Sequence, residues 1–485
     1  MSQLKLLLEV ALRNLLARRV NRVIGGIIFV GTLVVVVGGS MLDSMDEALR
    51  RSIIGSLAGH LQVYSASSQD ELALFGDLGQ EAELSALEDF SRVKAALLSH
   101  PNVKTVVPMG INAAFISTGN TADRALERLR ALYRQREEKG DTPELSEQRA
   151  NLKAHVRQLV ALLQQDHERN RAFINDANVD PLEKEALEKA RSEEFWASFD
   201  QDAFGALEFL ENRIAPQMAD GDLLYLRYVG TDVAAFQQNF DRMRIVDGTA
   251  VPPGQRGMLL SKLFYEETLK LKAAYRMDLL KRARETTHYT LDNSARMQRL
   301  LENNRNQTRE ILYQLDPQKL ALMRERLQRI LNSQEQDVEK LLRAFFTMDD
   351  AAFEQRYTQF YSELAPLVEL YRLKPGDTLS ITGFTHSGYM QSVNVRIYGT
   401  YEFQGLEQSS VAGSFSLMDI MTFRDLYGFV TADMREELKQ LRQTSGAKDV
   451  PRESAEAELF GGSSTLEAKG VARKIDEDSR LQGHV

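Results

Sequence analysis

The longest apolar run in the sequence lies near the N-terminus. Val23 to Leu42 reads VIGGIIFVGTLVVVVGGSML, twenty residues with no charged side chain. Twenty helical residues measure about 30 Å, the thickness of the hydrocarbon core of a bilayer. The pattern therefore predicts one transmembrane helix over residues 23–42. No other stretch approaches the run of about 18 apolar residues that a second span would need.

The charges on either side of this run predict its orientation. Five basic residues and one acidic residue precede it, namely Lys5, Arg13, Arg18, Arg19, Arg22 and Glu9, and three acidic residues follow it at positions 43, 46 and 47. The positive-inside rule then places the N-terminus in the cytoplasm and the bulk of the chain on the other side. A signal peptide is the alternative, but its apolar region is usually about 7–15 residues long and ends at a small-residue cleavage site. SMLDSMDEA offers no clean site of that kind, so we favour a retained anchor.

The leader over residues 1–22 has a pattern of its own. Its apolar positions 4, 7, 8, 11, 12, 15 and 16 follow helical spacing, which predicts an amphipathic basic helix on the inner leaflet. Arg13, Arg18, Arg19 and Arg22 are the candidate residues for docking to the membrane or to a cytoplasmic ATPase. The simpler explanation is that these arginines only set the topology of the anchor.

The segment after the anchor, residues 43–119, has mixed character. The helix is predicted to continue to about Ser56, and a strand is predicted over His60–Ser65 after the breaker Gly59. An amphipathic helix is expected over Leu84–Leu98, and a bent strand or strand pair over Val103–Ser117. This order predicts the first part of a compact α+β core.

Two strand-poor, highly charged blocks interrupt the core, over residues 120–204 and 266–371. Each has apolar residues at spacings of three and four, typical of a coiled coil or an antiparallel helical pair. In the first block these are Leu145, Leu152, Val156, Leu159 and Leu163; in the second they are Leu320, Met323, Leu327, Ile330, Val338, Leu341 and Phe345. We expect two long inserted α-helical arms that pack together. An arm of about 40 residues would reach about 60 Å.

Strand-like patterns return between and after the blocks. Residues 205–265 and the β-rich residues 372–430 are assigned to the core, and residues 431–485 to a polar tail. The expected fold class is α+β, with one N-terminal transmembrane helix, a mixed core that is discontinuous in sequence, and the two inserted arms.

Composition and motifs argue against an enzyme. Cysteine is absent, which excludes disulfides and thiolate metal sites, and the net charge of −9 excludes a globally basic nucleic-acid binder. There is no Walker A, GxGxxG, HExxH or GxSxG motif. The paired carboxylates Asp349-Asp350 and Glu193-Glu194 lie in charged helical stretches without a catalytic partner. The seven scattered histidines are His60, His100, His155, His167, His288, His386 and His484. We therefore predict no catalytic residue, no cofactor and no metal ligand.

Several segments, taken in order, resemble one family. Two of them flank the apolar span: EVALRNLLARRVNRVI before it and MLDSMDEALRRSIIGSLAGHLQVYS after it. Three more follow later in the chain, namely IVDGTAVPPGQRGMLLSKLFYEE, LKPGDTLSITG and VRIYGTYEFQGLEQSSVAGSFSLMDIMTFRDLYGF. These segments resemble MacB/FtsX-like ABC transporter permeases, and the lipoprotein-releasing LolC/LolE-type branch is the most similar. The resemblance covers about residues 5–120, 205–265 and 370–430, and the order of the segments is more specific than any one of them.

The resemblance implies a membrane and periplasmic permease subunit of a mechanotransmission-type ABC transporter in the bacterial inner membrane. It also implies a cytoplasmic ATP-binding subunit, a second permease subunit or copy, and a lipoprotein or lipid cargo or another periplasmic partner. Two features depart from the family: the usual last three spans are not in this sequence, and the helical blocks are insertions. The chain is then either a fragment or a split permease. The alternative is a single-pass envelope scaffold, or an FtsX-like regulator of cell-wall enzymes, with no transport role.

Overall fold

A computed structural model describes most of the chain between Arg19 and Gly428. The described residues are 19–68, 85–87, 89–170, 181–218, 223–288, 290–291, 293–385, 388–409 and 411–428. Residues 1–18 of the predicted leader and the whole of the predicted polar tail, residues 431–485, lie outside the described residues, as do His386 and His484.

The first element is a single long helix, α1 (Arg19–Ile53), of 35 residues. A π-helical turn, Ile54–Ala58, follows it and contains a kink at Ser56, whose backbone angles are not helical. Within the described residues this is the one helix that is long and apolar enough to cross a membrane, and its apolar window has no buried residue. The predicted continuation of the helix to about Ser56 agrees with these bounds.

Seven strands form the centre of the fold: β1 (Met109–Ser117), β2 (Leu223–Thr231), β3 (Met243–Gly248), β4 (Met258–Ser261), β5 (Thr378–Phe384), β6 (Met390–Phe403) and β7 (Ser416–Asp419). The strand order is β3-β6-β4-β7-β2-β1-β5, and β6 also pairs with β5. Six strands therefore close into a barrel, and β3 lies outside it along the C-terminal half of β6. The sheet mixes antiparallel pairs with the parallel pairs β2–β7 and β4–β6.

The closing helix α16 (Ile420–Tyr427) fills the inside of the barrel. Its Phe423 and Leu426 belong to one apolar cluster with strand residues such as Ile116, Leu226 and Ile381. Gly110 and Gly230 make this contact possible, because a Cβ atom at either position would lie within 2.3 Å of the Phe423 side chain. A second apolar cluster covers the outer face of the sheet and includes helix α8 (Val233–Asn239).

The first helical block is inserted between β1 and β2. It contains α3 (Thr121–Lys139), α4 (Pro143–Asn170), α5 (Pro181–Arg191), α6 (Glu193–Ser198) and α7 (Ala203–Arg213). Asn120 caps α3 reciprocally with Asp123, and its Nδ2 donates to the Ala215 carbonyl at 2.7 Å. The start and the end of the block are thereby joined. The predicted boundary at residue 205 is wrong, because Leu207 and Leu210 of α7 are buried within this block.

The second helical block is inserted between β4 and β5. After the short helix α9 (Lys262–Phe264) and a π-helical turn, Tyr265–Leu269, it contains α10 (Lys272–Thr287), α11 (Ala295–Asn306), α12 (Arg309–Leu312), α13 (Pro317–Leu331), α14 (Val338–Phe345) and α15 (Asp350–Gln359). No described helix of either block reaches 40 residues, and the longest, α4, has 28. The expectation of a 60 Å rod is wrong because short helices fold back on one another.

The two blocks pack against each other. Leu162 of α4 contacts the apolar clusters of both blocks, and Tyr313 from the second block lies in the cluster of the first. The Gln158 side chain donates to the Leu315 carbonyl at 3.1 Å. Most of the apolar residues that predicted the arms are buried, but inside two joined bundles.

The first core segment differs from its prediction in three places. The strand predicted over residues 60–65 is absent, and Leu61 is 74% exposed. Alternation of apolar and polar residues is not sufficient to form a strand where no neighbouring strand pairs with it. The helix expected over Leu84–Leu98 is the shorter α2 (Phe90–Leu98). Val103–Ser117 contributes one strand that begins after Pro108, whose carbonyl accepts a hydrogen bond from Thr231 Oγ1 at 2.7 Å.

Candidate functional site

The candidate arginines of the leader are only partly within the described residues. Arg13 and Arg18 lie outside them, while Arg19 and Arg22 lie in the first two turns of α1. Their proposed role in docking remains a prediction from sequence. The candidate site that the structure does describe is the other end of α1, where the helix joins the barrel.

The end of α1 fits closely against the loop before β3. The Arg242 amide donates to the Gly55 carbonyl at 3.1 Å. A Cβ atom at position 55 would lie 2.4 Å from Asp241 Oδ1 and 2.8 Å from Arg242 Cγ, so a larger residue would require these side chains to move. Leu57 is 1% exposed and packs in the outer cluster with Phe236 and Phe240. We call the contacts of Ser52–Ala58 with residues 240–243 and 402–405 the junction.

The junction continues onto the C-terminal end of β6. The Gln404 amide donates to the Arg242 carbonyl at 2.9 Å, and Gly405 approaches Ser52 closely. Glu402 pairs with Arg244 and with Lys262, the latter at 3.0 Å. Burial opposes ionisation of Glu402, but the hydrogen bonds from Lys262 and Arg244 hold its pKa below the usual value. The end of the helix is thus attached to a region fixed by backbone and ionic contacts.

A buried polar cluster lies at the base of the second block. Lys270 Nζ contacts Glu266 at 2.9 Å and Asp278 Oδ2 at 2.6 Å. The other oxygen of this carboxylate, Asp278 Oδ1, accepts hydrogen bonds from Tyr357 and Tyr361. Burial alone would lower the pKa of Lys270, but the two carboxylates outweigh burial and raise it. The amine is therefore held charged, which suits an ion pair and does not suit a nucleophile or a base.

The same cluster lies where the chain enters and leaves the second block, which we call the neck of the block. Lys270 and Tyr371 form an isolated antiparallel bridge, flanked by a bond from the Leu271 amide to the Leu370 carbonyl at 2.8 Å. The chain thus enters and leaves this block through two adjacent backbone segments.

Charged residues also connect the two blocks. Arg309 lies 3.2 Å from Asp166 and 3.3 Å from Glu339, and Arg169 binds Glu339 through two hydrogen bonds of 2.9 and 3.0 Å. Burial disfavours the charged form of Glu339, yet the arginines keep its pKa below the usual value. Glu369 of the second block contacts Arg128 of α3 at 2.8 Å.

His155 lies at this interface and is 6% exposed. Its ring is hydrogen-bonded to the Leu315 backbone, and its Nδ1 has no hydrogen-bond partner. Burial lowers the pKa of the ring although Asp316 faces it. A lone neutral histidine in this setting packs the interface and offers no catalytic arrangement.

In the described part of the chain, no group of three or more His, Asp and Glu side chains is arranged to hold a metal ion. No family model, curated protein or solved structure matches the chain. Sequence reasoning missed the junction because Gly55 and Arg242 are far apart in sequence and neither lies in a motif.

Proposed function

We propose that the chain is a membrane-anchored permease subunit of a mechanotransmission-type ABC transporter that releases or exports lipoproteins or lipids. The observation that carries the proposal is α1: one uninterrupted helix from Arg19 to Ile53 that joins the apolar span to a close-fitting junction with the barrel, where the chain bends at Ser56. A separate cytoplasmic ATPase would tilt the anchor. The helix would pass that tilt to the barrel and to the joined helical blocks, which a flexible linker could not do.

In this proposal the chain itself is not an enzyme. The N-terminus is cytoplasmic, the anchor lies in the bacterial inner membrane, and the barrel and the blocks are periplasmic. The resemblance to LolC/LolE-type permeases and the basic leader support this arrangement.

The test is to stop the helix from passing its tilt to the barrel while the anchor stays in the membrane. A flexible Gly-Ser-Gly-Ser insertion between Arg51 and Ser52 should abolish ATP-driven release of a fluorescent lipoprotein from proteoliposomes while the copurifying ATPase still hydrolyses ATP. The matched control inserts seven helix-forming residues at the same place, about two turns, which keeps the helix continuous and nearly in phase. This control should retain most of the release.

The alternative is a single-pass scaffold or regulator of cell-wall enzymes. The single candidate span within the described residues favours it. A scaffold requires attachment but no stiffness, so the flexible insertion should leave its activity unchanged. Equal function of both insertion variants, or failure of an ATPase to copurify from cross-linked membranes, would reject the transport proposal in favour of the scaffold.

A further inference from the structure

Part of the outer face of the barrel is covered by the chain itself. On β1 and β2, the residues that alternate with interior positions such as Ala114 and Leu226 lie on the outer face. Helix α8 packs over one part of this face, in a cluster that includes Ile111 and Val229. The remaining part lies towards the other end of both strands.

This remaining part carries apolar side chains on four strands. Tyr225 of β2 is 53% exposed, Phe384 of β5 50% and Met390 of β6 69%. Phe115 of β1 pairs in register with Tyr225 and contacts it edge-on, with 5.9 Å between the ring centroids. We call Ala113, Phe115, Tyr225, Phe384 and Met390 the strip.

The register of the strands makes the strip continuous. Phe384 pairs with Met390 across β5 and β6. β1 and β5 stay adjacent up to this point, because a Cβ atom at Gly383 would lie 3.6 Å from that of Ala114. Neighbouring strands are about 4.8 Å apart, so the strip spans about 14 Å from β2 to β6.

Arg227 lies at one end of the strip. It pairs in register with Ala113, and its guanidinium stacks 4.2 Å from the ring centroid of the buried Phe415. The side chain is half-buried, and its Nη1 is buried without a hydrogen-bond partner in the described part of the chain. Burial lowers the pKa of Arg227, and Tyr225 is the one described titratable group that acts on it. Its positive charge therefore has no carboxylate partner within the described residues.

The chemistry of this surface defines its ligand. β2, β1 and β5 each have a neighbouring strand on both sides, so this face offers side chains and no open strand edge to an extended peptide. The strip contains no carboxylate, so the strip of a second copy would not neutralise Arg227. One cation at the end of an apolar surface matches a molecule with one oxyanion and an apolar chain.

We infer that the strip binds an anionic lipid, whose phosphate or carboxylate pairs with Arg227 while an acyl chain contacts the apolar side chains. The inference rests on the proposed function and deepens it, because it assigns a lipid-binding site to the barrel.

Fluorescence quenching on the full chain tests this site. The sequence has a single tryptophan, Trp196, so Trp196→Phe combined with Phe384→Trp places the only indole on the strip. This reporter protein is held in phosphatidylcholine nanodiscs and titrated with lysophosphatidylglycerol brominated on its acyl chain, which should quench the indole. The unaltered chain is the control, because its Trp196 is 6% exposed in the first block and should not be quenched.

Two further titrants identify what the strip recognises. Brominated monoacylglycerol has the same chain without the anion and should need at least about a tenfold higher concentration for half-maximal quenching. Inorganic phosphate should not displace the brominated lipid over the same range. Equal quenching by both lipids would mean that the barrel only contacts the bilayer, and displacement by phosphate would make free phosphate the ligand. Either result would overturn the inference, as would no quenching at all, which is the outcome if another segment of the chain fills the strip.

Two pairs of variants in the reporter protein test the residues. Arg227→Gln should raise the half-maximal concentration at least about tenfold. Its control, Arg396→Gln, removes an arginine stacked on Tyr398 of β6 and should change nothing. Ala113→Asp gives Arg227 a carboxylate across the strand pair and should weaken binding by the same factor, whereas Ala113→Asn should not.

Hydrogen exchange of β1 and β2 shows whether each variant is folded. If Arg227→Gln is not folded, the comparison of Ala113→Asp with Ala113→Asn decides. Unchanged binding in the folded Arg227→Gln or Ala113→Asp variant would overturn the inference.

The release assay separates this inference from the proposed function. Lipid binding at the strip in a chain whose two insertion variants function equally supports the inference and refutes transport. Release that depends on the continuous helix while the strip binds no lipid refutes the inference alone.

Discussion

Gly55 lies in a crowded position at the junction. Its space is limited by the side chains of Asp241 and Arg242, and the Arg242 amide donates to its carbonyl. Small-to-large changes at such contacts usually cost about 1–3 kcal/mol, because neighbours must move.

We therefore expect Gly55→Ala to lower the free energy of local opening at the junction by about 1–3 kcal/mol. Hydrogen exchange of the amides of residues 52–58 and 240–243 measures this opening. The control is Gly26→Ala, since Gly26 lies in the same helix with no atom within 4 Å of the added Cβ. Equal protection in both variants would show that the junction tolerates a methyl group.

Local sequence patterns predicted some residues well and others not at all. The apolar positions Val156, Leu159 and Leu163 were recognised because repeats of three and four residues belong to one helix and need no partner to be seen. The contact between Gly55 and Arg242 joins residues that are distant in sequence, and no local pattern in the sequence predicts it.

At the scale of elements, periodicity predicted the faces of the helices better than their lengths or partners. The long helix α1 was predictable because its apolar run and its continuation are local. Residues 60–65 have the alternation of a strand, but a strand also needs a neighbour, and the described strands already pair with one another. The arms became bundles because short helices such as α6 and α12 turn the chain back.

The interface between α4 and the segment leading into α13 should weaken in mild acid. His155 has a lowered pKa in the folded chain, so below an unfolded value of about 6.5 the unfolded chain binds more protons. Stability that is fully present above that pH is then lost as the pH falls towards the folded pKa. Asp316 favours the charged ring, but Lys319 and Arg128 oppose it.

We expect urea unfolding, followed through the single tryptophan Trp196, to show a loss of about 1 kcal/mol between pH 7.5 and 5.5 that His155→Gln largely removes. Trp196 is 6% exposed in the first block and reports directly on it. Exposed His100 provides the control variant, His100→Gln, which should keep the full loss. If His155→Gln behaves like His100→Gln, the ring does not control this dependence on pH.

For the whole molecule, the blocks are insertions that leave the barrel through narrow necks. Ser117 and Leu223 are paired in register across β1 and β2, and Lys270 and Tyr371 form the corresponding bridge. A two-residue turn is sufficient to join either pair.

Replacing residues 118–222 and 271–370 each by Asn-Gly should leave a barrel that still folds, with hydrogen exchange protection retained in β1 and β2. Removing residues 120–204 alone is the control, because it leaves Leu207 and Leu210 of α7, and Ile214 directly after it, without the block that buries them. That control should aggregate on size-exclusion chromatography. Aggregation of both variants would mean that the barrel depends on the blocks for its stability.

The closed barrel also determines the order in which the chain can fold. Phe115 of β1 pairs with Thr382 of β5, and Val229 of β2 pairs with Leu417 of β7, so the ring cannot close until nearly all described residues are available. The contacts of each helical block are mostly local, and local contacts form faster. Each block, once folded, brings distant strand ends together and shortens the loop that remains to be closed. Early folding of each block therefore removes most of the delay that an insertion of about a hundred residues would otherwise add to barrel closure.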